Sequence, residues 1–361
     1  MNIISKIGIL SALSIWFNAN AQQNTVSTAF TTGNHQPVGV AIATSGRTFV
    51  SFPNWLPAFK ISLAEVLADG RLKPFPDASW NNWLADRNDK TQFVCVQNVV
   101  ADQQNNLWVL DPANPQLGEA RQGGTKLVKI NLGKDLVERV YYFPDSIAGR
   151  NSFLNDVRID EKHGRAYFAD PAQKAIIVLD LESGASRKVL NNHATLKADP
   201  NFVFRLNGIE MRDSKGNPFS SNINGIAITK DFEWFYFRAE TDVKLYRIAT
   251  RYLSDFSLSD EVLASHIQDM GTVGQSNGII ADSKGNIYLT AAMDKAIKRV
   301  SADGTITILA QGKDFEWPDT FALSADEGYL LVSISQINRM TWFNNGKDQT
   351  KKPFKVLKIK L

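Results

Sequence analysis

The chain has 361 residues, of which 43% are hydrophobic, 10% aromatic and 21% charged. This apolar content is enough to build a large buried core, which excludes a disordered chain, a collagen-like fibre and a disulfide-rich miniprotein. The 40 Lys and Arg residues and the 37 Asp and Glu residues are interspersed and leave a net charge of +3, so nucleic acid is not an expected partner.

The N-terminal segment, residues 1–21, has the pattern of a secretory signal peptide. An apolar run, Ile7–Phe17, is followed by small residues at Ala19 and Ala21. The run is too short to span a bilayer comfortably, and the small residues suit cleavage after Ala21. We therefore expect a secreted or periplasmic protein with no membrane span, beginning at Gln22. A buried N-terminal helix is the alternative interpretation.

The rest of the chain repeats one pattern of short predicted strands. A first strand ends near Asp, a polar turn with Gly or Asn follows, and the second strand is apolar and carries aromatic residues. The segments that contain the first strands are Pro37–Ala43, Val94–Asp102, Leu154–Asp160, Asn224–Thr229, Asn277–Asp282 and Pro318–Ser324. Third strands are predicted at Lys126–Leu132, Ala175–Leu181, Lys244–Ile248, Ala296–Val300 and Phe354–Ile359.

The number and spacing of these units predict the fold. The units recur at roughly 40–60 residues, the spacing of four-stranded propeller blades. Helical periodicity is nearly absent. Six units predict an all-β protein, a six-bladed β-propeller with four-stranded antiparallel blades, whose last blade takes Thr25–Thr31 as its outer strand and so closes the ring.

Two long segments interrupt the repeats, Pro74–Asp89 and Asn191–Asn222. Loops of this length on a rigid scaffold are often functional. The aromatic residues of these segments are Trp80, Trp83, Phe202, Phe204 and Phe219, and Trp55 precedes the first segment. They are candidates for the wall and lid of a ligand pocket. The alternative is that they pack the loops onto the propeller. Ile61–Leu67 is a candidate short helix. No linker or block of charge divides the chain, so we expect one domain over residues 22–361.

Several sequence blocks also occur in a characteristic order from about residue 37 to about residue 335. They include Ser51-Phe52-Pro53-Asn54-Trp55, Pro74-Phe75-Pro76-Asp77, Leu107-Trp108-Val109-Leu110-Asp111, Phe153-Leu154-Asn155-Asp156, Asn224-Gly225-Ile226-Ala227 and Trp317-Pro318-Asp319. In type and order these blocks resemble the yellow / major royal jelly protein family, including its bacterial members.

The resemblance implies a secreted six-bladed propeller whose central channel holds small molecules. Known members include binders of biogenic amines, nutritional proteins and proteins linked to dopachrome conversion. An isomerase activity of the dopachrome-converting kind is therefore one implied function. The chain departs from the animal members in lacking paired cysteines, because Cys95 is its single cysteine.

The propeller prediction brings polar residues from different blades together. The inner strand of each blade lines the channel, and the residue at its start faces the channel mouth. The candidates for binding a ligand are Asn98, Asn155, Asp156, Asn224, Asn277 and Asp319, with Gln97 beside them and His35 or Gln36 from the first blade. Amides with one or two carboxylates suit a cationic amine, with Asp156 and Asp319 as the predicted charges. The alternative is that Asn224-Gly225 and Asn277-Gly278 are ordinary turn residues.

A calcium site is the second interpretation of the same residues. Asn277-Gly278-Ile279, followed by Gly285-Asn286-Ile287-Tyr288, also resembles the gluconolactonase / regucalcin type of calcium-dependent hydrolase. The implied ligands of Ca²⁺, the only cofactor that the sequence suggests, are Asn155, Asn224, Asn277 and Asp319. That family supplies a further Glu from its first blade, where this chain has His35-Gln36-Pro37-Val38. A site without it would lose an anionic oxygen.

The sequence assigns no catalytic residue. Gly274-Gln275-Ser276-Asn277-Gly278 matches the letters of a nucleophile elbow, but a predicted strand follows where that motif needs a helix. A tautomerisation would need a base of near-neutral pKa, for which His35 and His193 near the predicted loops are candidates; a solvated loop histidine is the alternative.

The sequence therefore predicts a monomeric, exported propeller that binds a small aromatic or cationic molecule in its channel. A calcium-dependent lactonase or phosphotriesterase and a non-catalytic protein-interaction propeller are the two alternatives.

Overall fold

The computed structural model describes residues 24–56, 59–85 and 89–361. The predicted signal peptide, residues 1–21, lies outside these ranges. Within them, no helix is both long and apolar enough to cross a membrane.

Six four-stranded antiparallel sheets follow one another along the chain as the blades of a six-bladed β-propeller, which confirms the predicted fold. The first strand in the chain is β1 (Val26–Gly33). Blade 1 contains β2 (Val40–Ile42), β3 (Thr48–Ser51), β4 (Leu63–Val66) and β5 (Leu72–Pro74). Blade 2 contains β6 (Asn98–Ala101), β7 (Asn106–Asp111), β8 (Lys126–Asn131) and β9 (Leu136–Tyr142). Blade 3 contains β10 (Asp156–Asp160), β11 (Arg165–Asp170), β12 (Ala175–Asp180) and β13 (Ser186–Val189).

The remaining blades follow a long insertion. The insertion carries a small hairpin, β14 (Arg205–Leu206) and β15 (Ile209–Glu210). Blade 4 contains β16 (Ile223–Ile228), β17 (Trp234–Ala239), β18 (Lys244–Ala249) and β19 (Gln268–Thr272). Blade 5 contains β20 (Ile279–Ala281), β21 (Ile287–Ala291), β22 (Ala296–Val300) and β23 (Ile306–Gln311). Blade 6 contains β24 (Pro318–Leu323), β25 (Tyr329–Ile334) and β26 (Phe354–Lys360), with β1 as its outer strand.

The helices are short and lie between strands. The α-helices are α1 (Asp145–Ala148), α2 (Thr250–Ser254) and α3 (Asp260–Ser265). Turns of 3₁₀-helix occupy Pro115–Leu117, Ala194–Leu196, Ile337–Arg339 and Thr341–Phe343.

The ring closes through the pairing of the chain's two ends. β1 runs antiparallel to β26, with Val26 opposite Ile359 and Gly33 opposite Phe354. This pairing confirms the outer strand predicted at Thr25–Thr31. The pairing joins the first described strand to the last. Separating β1 from β26 would therefore expose the edge of β26.

A buried carboxylate explains the Asp-turn-aromatic pattern of the repeats. Asp102 Oδ2 accepts a hydrogen bond of 2.8 Å from Trp108 Nε1. Asp160 and Asp282 accept equivalent bonds of 3.0 Å from the hydroxyls of Tyr167 and Tyr288. Each Asp thus fixes the turn between the first two strands of its blade, and it also satisfies the polar atom of a buried aromatic side chain.

The prediction of a short helix at Ile61–Leu67 is wrong. Residues 63–66 form β4, which pairs with β3 on one side and β5 on the other. Leu63 and Ala64 are fully buried in these contacts. A short apolar run has no decisive periodicity, so its neighbours in the sheet determine its conformation.

Candidate functional site

A cavity of about 260 Å³ opens where the inner strands begin, and we call it the upper cavity. Its walls come mainly from the loops that precede those strands and from the helical turns after β25. The described residues that line it are Trp55, Gln97, Leu117, Phe153, Asn155, Pro171, Phe219, Ser220, Ser221, Asn224, Glu240, Asn277, Trp317, Asp319, Ile337, Trp342 and Phe343. Five of the six blades therefore contribute polar groups or aromatic rings next to their inner strands.

A chain of hydrogen bonds links the amides across three blades. Gln97 Nε2 donates to Asn155 Oδ1 at 2.9 Å, and Asn155 Nδ2 donates in turn to Asn224 Oδ1. Asn224 Nδ2 then donates to Glu240 Oε2 at 2.6 Å. Three of the predicted amides, Gln97, Asn155 and Asn224, are thus brought together, and the chain of hydrogen bonds ends on the carboxylate of Glu240.

Asn277 reaches the same carboxylate from blade 5. In the amide orientation that satisfies its neighbours, Asn277 Nδ2 donates to Glu240 Oε1 at 2.9 Å and Asn277 Oδ1 accepts from Trp317 Nε1 at 2.7 Å. Trp317 is buried and has a φ of 59°, a left-handed conformation that is rare for a bulky residue. The Ser335 N–H donates to the Trp317 carbonyl at 3.1 Å and holds this backbone in place.

Glycines let the inner strands of neighbouring blades approach closely at this level. A Cβ on Gly225 would lie 2.4 Å from the Asn277 carbonyl oxygen, and one on Gly278 would lie 2.2 Å from that of Asp319. Both distances are shorter than any ordinary contact. The two Asn-Gly pairs are therefore packing positions between blades, and the turn interpretation of them is wrong.

The cavity holds two carboxylates whose ionisation is disfavoured. Burial raises the pKa of Glu240. Burial also raises the pKa of Asp319 to about 7, and the negative charges of Glu240 and Asp156 contribute in the same direction. Ser335 Oγ donates to Asp319 Oδ2 at 2.8 Å, which partly offsets the effect. Two carboxylates without a cationic partner in the cavity repel each other.

Asp156 lies beneath the cavity and is paired with an arginine. Arg158 Nη1 donates to Asp156 Oδ1 and to the Val157 carbonyl, both at 2.6 Å. Arg158 Nη2 donates to the Ile279 carbonyl at 2.9 Å, which carries the side chain from blade 3 across the channel to blade 5. Burial raises the pKa of Asp156 to about 6, although Arg158 acts in the opposite direction.

The structure separates the six predicted site residues into two groups. Asn155, Asn224, Asn277 and Asp319 line the upper cavity. Asp156 belongs to the ion pair below it, and Asn98 lines a different cavity at the other end of the channel. The ligand-binding roles of all six stay predictions.

Glu240 is the central residue that the sequence analysis missed. It follows directly after β17, the second strand of blade 4, where blades 2 and 3 end their second strands with Asp111 and Asp170. Both carboxylates accept hydrogen bonds from the backbone that precedes the inner strand of their blade. Asp111 accepts from the N–H groups of Val94 and Cys95, and Asp170 accepts from that of Phe153. The recurrence of a carboxylate at the end of the second strand is the sequence feature that could have identified Glu240.

Asp111 also anchors the segment that carries Gln97. Its carboxylate forms an ion pair of 2.8 Å with Lys126 Nζ, and both side chains are completely buried. Lys126 Nζ donates further to the carbonyls of Asp89 and Gly124. A buried pair with all its hydrogen bonds made is costly to break, so this end of blade 2 is firmly held.

The aromatic residues of the long segments have different roles. Trp55 and Phe219 line the upper cavity, as predicted for a wall. Trp80 packs on Phe93 in the core between blades 1 and 2, with 4.9 Å between ring centroids. Phe204 is buried against Trp317 and Phe219 and supports the wall from behind. Neither His35 nor His193 is among the residues that line the cavity.

The calcium site implied by the second resemblance stays a prediction, since three of its four predicted ligands are amides that already make hydrogen bonds. The side-chain oxygens of Asn155, Asn224 and Asn277 accept hydrogen bonds from Gln97, Asn155 and Trp317 respectively. Among the described residues, no group of three or more His, Cys, Asp or Glu side chains is placed to hold a metal ion. Ca²⁺ takes six to eight oxygen ligands, which include carboxylates, amide and backbone carbonyls and waters.

Fold and site together define a six-bladed propeller with an acidic, aromatic-lined cavity at one end of its channel. The profile of the major royal jelly protein family matches residues 94–357, which is more than half of the chain, and the protein belongs to this family. No curated protein matches the sequence significantly.

Solved structures of several other proteins share the fold. A streptogramin B lyase superposes with a TM-score of 0.54 at 13% identity, covering 93% of this chain and 97% of the lyase. A calcium-binding protein, regucalcin from Agrobacterium tumefaciens, gives a TM-score of 0.55 at 13% identity, with 93% of each chain covered. A gluconolactonase from Xanthomonas campestris gives 0.54 at 13% identity, with 94% of this chain and 90% of that chain covered. At these identities the likeness concerns the fold alone.

Proposed function

We propose that this protein binds a small aromatic cation, such as an arylalkylamine, in the upper cavity. The observation that carries the proposal is the composition of the cavity lining. Glu240 and Asp319 are its charged groups, and no Lys, Arg or His is among the described residues that line it. Six aromatic side chains form much of the rest: Trp55, Phe153, Phe219, Trp317, Trp342 and Phe343.

Both kinds of group favour an organic cation. Burial raises the pKa of both Glu240 and Asp319, although the positive charge of Arg238 acts in the opposite direction on Glu240; an ammonium group in the cavity would favour the ionised form of both carboxylates. A cation near the faces of Trp or Phe gains about 0.5–2 kcal/mol when water is excluded. An aromatic ring attached to the cation would be buried against the same walls.

Two further buried atoms are suited to polar groups of the ligand. Trp55 Nε1 and Gln97 Oε1 are buried and have no hydrogen-bond partner among the described residues. One is a donor and the other an acceptor, and both residues line the cavity. A hydroxyl group on the ligand would satisfy either atom.

Calorimetry with tryptamine and tryptophol tests the proposal, because these molecules differ only in an ammonium group in place of a hydroxyl. Tryptamine should bind at least about tenfold more tightly, since only it neutralises the carboxylates. Glu240→Gln should remove most of this preference. Asp303→Asn, which changes an exposed carboxylate in the turn after β22, should not. Equal affinity for both molecules would overturn the proposal.

Proton transfer to a bound aromatic substrate is a second candidate function, and Asp319 favours it. A pKa of about 7 is suited to a general base at neutral pH, and the carboxylate faces the cavity. With a tautomerising indole quinone of the dopachrome type as substrate, the rate should rise with pH through about 7. Asp319→Asn should abolish turnover, whereas Glu240→Gln should mainly weaken binding. A rate that Asp319→Asn leaves unchanged would contradict this role.

Export from the cytoplasm is part of the proposed function, and it rests on the signal-peptide pattern of residues 1–21. The mature protein should be recovered outside the cytoplasm with Gln22 at its N-terminus. N-terminal sequencing of the protein from its natural source checks this expectation. An intact Met1 on the mature protein would contradict it.

A further inference from the structure

The channel has a second cavity at its opposite end, and we call it the lower cavity. It encloses about 180 Å³. Every blade contributes at least one branched aliphatic side chain to its lining, among them Ile42, Val100, Ile159, Ile228, Ile280 and Leu323. Gln103 and Lys230, which also line it, are exposed and belong to the turns where the cavity meets solvent.

The lower cavity is separate from the upper one. The two share no lining residue among those described. Arg158 lines the lower cavity; its guanidinium pairs with Asp156 and reaches from blade 3 to the Ile279 carbonyl on blade 5. Asp102 and Glu161 also line the cavity, and their carboxylates accept hydrogen bonds from Trp108 Nε1 and from the backbone of Gln103 and Gln104.

One polar group in the lower cavity lacks a partner. Asn98 lines the cavity and is 2% exposed, and its Oδ1 accepts no hydrogen bond from the described residues. A buried acceptor without a donor is costly to the folded protein. A ligand that carries an O–H or N–H group would remove this cost.

We propose that the lower cavity is an independent binding site for a small neutral molecule, a single aromatic ring that carries a hydroxyl group. Apolar protein cavities of about 150 Å³ hold a benzene ring, so the volume is suitable. The aliphatic ring of side chains contacts the apolar part of the ligand. Its hydroxyl donates to Asn98 Oδ1, which selects a phenol over a plain hydrocarbon.

The test uses p-cresol, toluene and benzoate with the full-length protein, followed by calorimetry and by ligand-observed NMR. We expect p-cresol to bind more tightly than toluene, and benzoate not to bind. Asn98→Leu, which keeps the size of the side chain, should weaken p-cresol about tenfold and leave toluene unchanged or slightly tighter. Thermal unfolding of the variant checks that it is folded.

The site assignment has its own controls. Saturating tryptamine should leave p-cresol affinity unchanged if the cavities are independent. Ile280→Phe, which fills the lower cavity, should abolish p-cresol binding and leave the unfolding temperature near that of the wild type. If this variant does not fold, Asn98→Leu alone decides. The proposal is overturned if p-cresol does not bind, if tryptamine displaces it, or if folded Asn98→Leu binds it as the wild type does.

Discussion

The two ends of the channel are built from the same six inner strands and yet differ in chemistry. The boundary falls between adjacent residues, because Gln97 and Asp319 line the upper cavity whereas Asn98 and Thr320 line the lower one. Loops and strand starts supply amides, carboxylates and aromatic rings to the upper cavity. The interiors of the inner strands supply aliphatic side chains to the lower cavity. A propeller can therefore carry two sites of different character on one axis, provided that something separates them. Here the two cavities share no lining residue among those described, and Arg158, paired with Asp156, lines the lower one.

The largest expected effect comes from the close approach of strands at the upper end. Gly278→Ala would place a Cβ 2.2 Å from the Asp319 carbonyl oxygen, so the blades must move apart. We expect a loss of about 3 kcal/mol or more in the free energy of unfolding, measured in urea. Gly46→Ala is the control, since Gly46 has a φ of 83° and open space around it. It should cost only about 1–2 kcal/mol. Equal effects would show that the blades do not meet as described.

The pairing of Asp156 with Arg158, which lines the lower cavity, is tested by Arg158→Met. This change leaves Asp156 buried without its partner, which should cost roughly 2–4 kcal/mol of unfolding free energy at pH 8. At pH 5 the cost should be smaller, because a buried Asp156 with a raised pKa then takes up a proton. Adding Asp156→Asn should restore most of the stability. A loss that is the same at both pH values would contradict the pairing.

The charge of the upper cavity predicts a pH dependence of amine binding that the lower cavity lacks. Asp319 has a pKa of about 7 in the free protein, and a bound ammonium lowers it, so protonation competes with the ligand. Tryptamine affinity should fall as the pH drops from 8 to 5, by up to about tenfold per unit well below pH 7. The affinity of p-cresol should stay constant over the same range. A tryptamine affinity independent of pH would show that Asp319 does not contact the ligand.

The smallest expected effect is a gain in stability on removing a charge. A group whose pKa is raised by folding stabilises the protein below its unfolded pKa, and that contribution is lost as the pH rises through about 7. Asp319→Asn should therefore raise the unfolding temperature by roughly 2–5 °C at pH 8 and by little at pH 5. Differential scanning calorimetry at the two pH values measures this. A variant less stable than the wild type at pH 8 would contradict the account.

The fold was largely predictable because its determinants are local and repeated. Asp102, Asp160 and Asp282 each recur at the same place before an aromatic residue, and the structure gives all three the same hydrogen bond. The closing strand was predictable because the last blade lacked an outer strand and the strand pattern at Thr25–Thr31 belonged to no other blade. The strand at Leu63–Val66 was mistaken for a helix because its sheet neighbours, which decide its conformation, are not visible in a short apolar run.

The site was predictable in part, and the reason is geometric. Asn155, Asn224 and Asn277 were brought together by the blade repeat alone. The sequence did not separate Asn98 from Gln97, because these adjacent residues line different cavities although only one step along the chain divides them. The partner of Asp156 could not be inferred, since Arg158 reaches two blades across the channel and nothing in its local sequence indicates that distance.

Proton release on amine binding tests the central claim most directly. Calorimetry of tryptamine binding at pH 7, repeated in two buffers of different ionisation enthalpy, counts the protons that leave the protein. With Asp319 near its pKa of about 7, we expect about half a proton per tryptamine bound, and almost none for tryptophol or for the variant Asp319→Asn. Tryptamine binding that releases no proton, or the same release from Asp319→Asn, would contradict the claim that the upper cavity holds a cation on its carboxylates.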